Sequence, residues 1–172
     1  MYARPNPFIA AVRCNILKRT PNFKSEVMMN KILSTLIFLL VLSLGASPIN
    51  KTFWKDLAIN GYDPVAYFTL GKPIEGKKEF QFRWMDADWR FSSAENLKLF
   101  REHPDRYAPQ FGGYCAYGIA FGEKVAIDPK QWKIVDGKLY LNYDHDVQVL
   151  WEKDIPGWIE KAKKEWESVQ KK

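Results

Sequence analysis

The residues best placed to do chemistry are in Phe111-Gly112-Gly113-Tyr114-Cys115-Ala116-Tyr117-Gly118. Paired glycines let a backbone take positive φ and approach another group closely. If the chain turns into a helix after Gly113, Cys115 stands at the helix N-terminus. There the macrodipole and free N–H groups favour a thiolate, the form that attacks electrophiles and binds soft metals. The same pattern equally describes a small buried cysteine in a tight turn. Gly112, Gly113, Tyr114, Tyr117 and Gly118 form the supporting loop. Neither tyrosine is a good general base at neutral pH, since an ordinary phenol titrates near ~10. No catalytic residue is assigned, and the chain leans toward a non-enzyme.

Cys14 and Cys115 are the only cysteines. Cys14 falls in a leader-like segment, so Cys115 stands alone in the remainder and no intramolecular disulfide can form there. An unpaired thiol in an oxidising compartment is protected, reactive, metal-bound or paired to another molecule. A soft metal ion such as copper, or zinc, would need further ligands. The candidates are the two histidines, His103 and His145, with the thiolate-plus-imidazole chemistry that suits such ions. His103 at a helix end also reads as a dipole-complementing residue. His145, between Asp144 and Asp146, also reads as part of a helix cap. No Cys-x-x-Cys or His-x-x-x-His spacing exists. A sulfenic acid at Cys115 would need an external thiol to resolve it, so a redox role implies a partner protein.

Met28-Met29-Asn30-Lys31 precedes an apolar run, Ile32 to Ala46. A lysine, an apolar stretch and small residues at its end are the pattern of a secretory signal. The expected organisation is an over-long upstream extension over 1–27, a signal peptide over 28–47, a linker over 48–57 and one domain over 58–172. The expected location is periplasmic or secreted; the alternative is a membrane tether through an uncleaved N-terminal segment. The formal charge of +6 is mostly leader: six of the 26 Lys/Arg and one of the 20 Asp/Glu lie in residues 1–47. The remaining 20 bases and 19 acids nearly cancel, which argues against nucleic acid as a partner and leaves no strong electrostatic membrane footprint once the signal is gone.

The positioning elements follow from pattern. Asn60-Gly61 is a turn, and Val65, Tyr67 and Phe68 read as a short strand. Phe80, Phe82 and Trp84 alternate with Gln81 and Arg83, the period of a half-buried strand. Asp86-Ala87-Asp88 turns it into Trp89-Arg90-Phe91. Ser92 with Glu95 reads as a capping box, opening a helix that carries Leu97 and Phe100 and stops at Pro104. Residues 104–109 form a rigid connector. Val125–Ile127 is a brief strand stopped by Asp128-Pro129. Trp132–Val135 and Leu139–Tyr143 form a hairpin about Asp136-Gly137, a favoured type I′ pair. Val147, Leu150, Trp151 and Ile155 make the stripe of the next helix. Trp158, Ile159, Ala162, Trp166 and Val169 do so for the last. Asp63 and Asp128, each before proline, shape turns. No internal repeat is evident. The expected class is α+β: a small antiparallel sheet of hairpins, a short central helix and C-terminal helices.

Taken together, Gly61-Tyr62-Asp63-Pro64-Val65-Ala66-Tyr67-Phe68, Trp89-Arg90-Phe91-Ser92-Ser93, Pro104-Asp105-Arg106-Tyr107, the Cys115 segment and Asp136 to Tyr143 resemble the YHS-domain family, in its exported single-domain branch. Related modules on copper-transporting ATPases carry one cysteine after Asp-Pro-Val and another after the aromatic-Phe pair. This chain has Ala66 and Ser92 there, so that metal role does not carry over to those positions. Some members of the exported branch place selenocysteine in a motif like the one at Cys115. The resemblance therefore implies soft-metal, thiol-ligand or redox chemistry at Cys115.

Overall fold

Two tight turns organise the strands. Met85 (φ 47°) and Asp86 (φ 61°) reverse β1 (Lys77–Trp84) into β2 (Ala87–Phe91), and Asp136 (φ 49°) and Gly137 (φ 71°) reverse β3 (Asp128–Val135) into β4 (Lys138–Asn142). Positive φ at both central residues matches the twist of antiparallel strands. The computed structural model describes residues 48–171, so the expected extension and signal peptide over 1–47, with Cys14, lie outside the described residues. The fold is α+β, with two separate two-stranded antiparallel sheets.

The second turn is where the sequence placed it; the first is at Met85-Asp86, starting one residue before the expected Asp86-Ala87-Asp88. Ala87 is strand, because Ala87, Trp89 and Phe91 all point inward and are fully buried. β3 also starts earlier than expected. Asp128-Pro129 begins the strand rather than stopping one, as proline can at a strand start. Residues 125–127 are not a strand.

Among the described residues six α-helices, beside two short 3-10 turns at Ile59–Gly61 and Gln110–Gly113, complete the unit: α1 (Ala66–Thr69), α2 (Ala94–Glu102), α3 (Pro104–Tyr107), α4 (Ala116–Ile119), α5 (His145–Glu152) and α6 (Ile155–Val169). Helix α1 replaces the strand expected at Val65–Phe68. The Asp63 carboxylate accepts from the N–H groups of Val65 (2.9 Å) and Ala66 (3.2 Å), closing a helical turn. The cap of α2 is Ser93, whose Oγ accepts from Asn96 N–H at 3.2 Å, so the expected Ser92–Glu95 box is displaced by one residue. Ser92 is engaged elsewhere. The expected connector holds α3, with Pro104 in its first turn. Asp144 caps α5 and Asp154 caps α6. In α5 the inward residues are Gln148 and Trp151, whereas Leu150 is 41% exposed.

The core has two parts. One gathers Ile59, Tyr67, Trp89, Phe91, Phe100 and Leu141; the other gathers Phe111, Ile119, Tyr140, Trp151, Ile159 and Ala162 under α6. Residues 48–57 are not a free linker: Ile49 and Leu57 are buried, and Leu57 bridges to Asp88. The described residues form one compact unit.

The order of elements repeats. Ile59, Asn60 and Gly61 have φ of 42°, 57° and 82°; Phe111, Gly112 and Gly113 have 54°, 62° and 80°. Each triplet is followed by a tyrosine, then by Asp63 or Cys115, then by a four-residue helix that begins Ala-Tyr, directly after Cys115 but two residues further on, past Pro64-Val65, in the first half. A hairpin follows in each half. Its register shifts at equivalent places, between Lys77 and Gln81 and between Asp128 and Trp132. A side-chain-capped helix then buries one aromatic, Phe100 or Trp151. The two halves thus repeat one order of turns, short helix, hairpin and capped helix, a structural duplication in outline that the sequence reading did not detect.

Asp63 is fully buried and accepts five hydrogen bonds, from Val65 N, Ala66 N, Ser92 N, Ser92 Oγ and Asn96 Nδ2. Replacing one carboxylate oxygen by an amide sets donor against donor inside the protein. Asp63→Asn is expected to lower stability by about 2–4 kcal/mol. Urea unfolding followed by tryptophan fluorescence checks this; a loss within 0.5 kcal/mol, about the scatter of surface substitutions, would refute it.

Candidate functional site

Cys115 is positioned by its flanks. Gly112 turns where a Cβ would overlap the Pro48 carbonyl oxygen, so only glycine lets the N-terminal segment pass. That segment is tied down by Asn50, which donates from N to Gly112 O (2.8 Å) and from Nδ2 to Gly113 O (3.0 Å). Cys115 N–H donates to Val125 O at 3.1 Å, and the residue bridges in parallel to Leu141 of β4. Gly118 is needed on the other side, since a Cβ there would lie 2.7 Å from Val125 Cγ2.

The thiol is the cap of α4, as the sequence anticipated, but it is 1% exposed. Its Sγ accepts from Gly118 N–H at 3.4 Å and donates to Asn142 Oδ1 at 3.6 Å. Burial pushes the thiol above its ordinary 9.0, and the hydrogen bonds from Gly118, Tyr143 and Tyr117 only partly oppose this. Helix α4 has four residues, so its dipole is small beside the cost of a charge in an apolar site. The expectation of a thiolate favoured by the helix terminus is corrected: desolvation wins and the neutral thiol is the stable form.

Asn142 connects the thiol to the surface. Its Oδ1 also accepts from Tyr117 N–H (3.2 Å), and its Nδ2 donates to Gln148 Oε1 (2.7 Å). Gln148 Nε2 donates to Glu152 Oε1 (3.0 Å), which Lys133 Nζ meets at 2.9 Å. Asn142 is fully buried, and Gln148 nearly so. Neither was picked out in the sequence; nor was Asn96 beside Asp63, and Ser92 was read as a helix cap rather than as a partner of Asp63. The available signal was the recurrence of Gly-Tyr at 61–62 and 113–114 and of Ala-Tyr at 66–67 and 116–117, with Pro64-Val65 extra in the first, which sets Asp63 and Cys115 at corresponding places after Gly-Tyr.

The supporting residues have packing roles. Tyr114 is half-buried, its ring 6.4 Å from that of Trp166, with Lys124 Nζ 5.7 Å from its centroid. Burial raises its phenol above the ordinary 10.0. Tyr117 packs edge-on against Trp158 and Phe121, at 4.8 and 5.1 Å. Neither hydroxyl is among the hydrogen-bond partners of Cys115 Sγ. His103 is exposed where α2 ends, and His145 is exposed at the first turn of α5. Neither bonds the sulfur. Among the described residues no three His, Cys, Asp or Glu side chains gather into a group that could hold a metal ion. No described helix is long and apolar enough to cross a membrane.

No protein-family model, no curated protein and no solved structure matches the chain.

A thiol whose folded value is raised contributes stability that is complete below its unfolded value, near 9.0. That contribution is lost as pH rises through and beyond this value. Wild type is therefore expected to lose stability relative to Cys115→Ser between about pH 8 and 10. Urea titrations of both proteins across that range measure it; parallel pH profiles would contradict it.

Proposed function

We propose that this chain is an exported, non-enzymatic interaction module of the YHS kind, with Cys115 serving as a buried, neutral hydrogen-bonding thiol. The observation that carries the proposal is the sulfur itself: it is shielded from solvent and engaged by Gly118 N–H and Asn142 Oδ1. Its counterpart in the first half supports the same reading. Asp63 also follows Gly-Tyr and caps a short helix, and it ties that helix to the residues after the next hairpin. Cys115 does so through Asn142. Copper-type binding and redox cycling both draw on an accessible thiolate, and burial opposes each. Location in a periplasm or outside the cell rests on the signal-like sequence before residue 48.

Maleimide labelling of the native domain tests the proposal. Labelling of Cys115 is expected to be slow and to rise with urea in step with unfolding, while the purified domain takes up no more copper than Cys115→Ser. Fast native labelling would overturn it. So would stoichiometric copper in wild type that is absent from a folded Cys115→Ser protein.

A further inference from the structure

The most exposed apolar side chains near the N-terminal end of the described unit are Phe53 and Trp54, at 87% and 89% exposure. Their rings stack edge-on at 5.0 Å. They sit at the tip of a fastened loop. Thr52 N–H donates to Leu57 O (3.0 Å), Asp56 N–H to Thr52 O (3.0 Å) and Leu57 N–H to Thr52 Oγ1 (3.1 Å). Lys51 bridges to Ala58 at its base. Met85, 48% exposed, lies in the neighbouring turn, which Lys51 grips through Asp86.

We propose that the Phe53–Trp54 loop docks the domain on the surface of a lipid bilayer. Aromatic side chains beside a lysine are the chemistry of the water–lipid boundary, where a ring is buried and a polar end stays wet; Lys55 follows Trp54 directly. The charges at the base of the loop are already spent on one another. Lys51 pairs with Asp56 and Asp86, and Arg83 pairs with Asp56, Asp86 and Asp88. With Lys55 included, this cluster is neutral, so neither attraction to nor repulsion from anionic lipid dominates. A charge count shows no footprint here; the signal is aromatic.

Two further arguments favour lipid over a second copy of the chain. The apolar run Ile32 to Ala46 ends a few residues before Phe53. Where that run is retained as an anchor in a bilayer, an extended chain of ~3.5 Å per residue keeps the pair within roughly 25 Å of it. Two aromatic side chains also cover only about 300–500 Å², well short of the ~800 Å² per partner of a stable interface.

The domain spanning 48–172 is the appropriate probe, because its described core draws on residues from Ile49 to Val169 alone. It is titrated with phosphatidylcholine vesicles to millimolar lipid, and binding is read by co-sedimentation. Wild type is expected to bind, and Phe53→Ser/Trp54→Ser to partition at least about tenfold more weakly. Its thermal unfolding should be unchanged, since both residues are exposed. Adding phosphatidylglycerol or salt should alter wild-type binding little. No binding of wild type, or equal binding of both proteins, would overturn the proposal. So would a concentration-dependent dimer abolished by the double substitution without any lipid response. The role of Cys115 is untouched by any of these results.

Discussion

The Asp63 carboxylate is the constraint on which the first half of the domain depends. It is fully buried, and its two oxygens take five hydrogen bonds from backbone and side-chain donors. A carboxylate removed from water without such donors is unaffordable. Its burial therefore requires Val65 and Ala66 to turn into α1, Ser92 to leave β2 at one particular place and Asn96 to face inward from α2. One side chain thus sets three local structures, and the aromatic cluster of Trp89, Phe91 and Phe100 closes over them.

The second half solves the same geometric problem with weaker chemistry. Where Asp63 stands, Cys115 stands, and a thiol accepts and donates less strongly than a carboxylate. The tie to the following hairpin passes instead to Asn142, whose amide oxygen meets both Cys115 Sγ and Tyr117 N–H and whose amide nitrogen reaches Gln148. An acid-centred hub in one half corresponds to an amide-centred hub in the other. In this frame a neutral thiol is consistent with its surroundings, because no described cation lies in the network until Lys133 at the surface.

The two halves differ most in what covers them. Helix α6 lies against α4 and α5 and buries Ile159 and Ala162 in the second cluster. It also brings Trp158 onto Tyr117, and Trp166 onto Tyr114 and Phe111. The tyrosines flanking Cys115 are therefore held as wall rather than as proton donors. The segment preceding the duplication runs past Gly112 and presents Phe53 and Trp54 to the outside, where nothing in the described unit covers them.

What the sequence determined by itself was most of what near neighbours govern, to within a residue at the cap of α2 and the β1–β2 turn. Phe80, Phe82 and Trp84 alternate because a strand alternates. Asp136-Gly137 turns because its residues tolerate positive φ. Asp144 caps because its carboxylate reaches an N–H three residues on. Tertiary structure decided the rest, wherever the partner lay far along the chain. Val65–Phe68 carries strand-like residues, yet it is helical because Asp63 is shared with Ser92 and Asn96. Leu150 fits a helical stripe, but Gln148 takes the inward place because Asn142 needs its oxygen. The duplication escaped notice because matching backbone turns are built from unlike residues, Ile-Asn-Gly and Phe-Gly-Gly. Cys115 was legible as a capping residue but not as a buried one. Its protonation follows from the depth at which β4 and the first core cluster enclose it, and depth is a property of the packed fold.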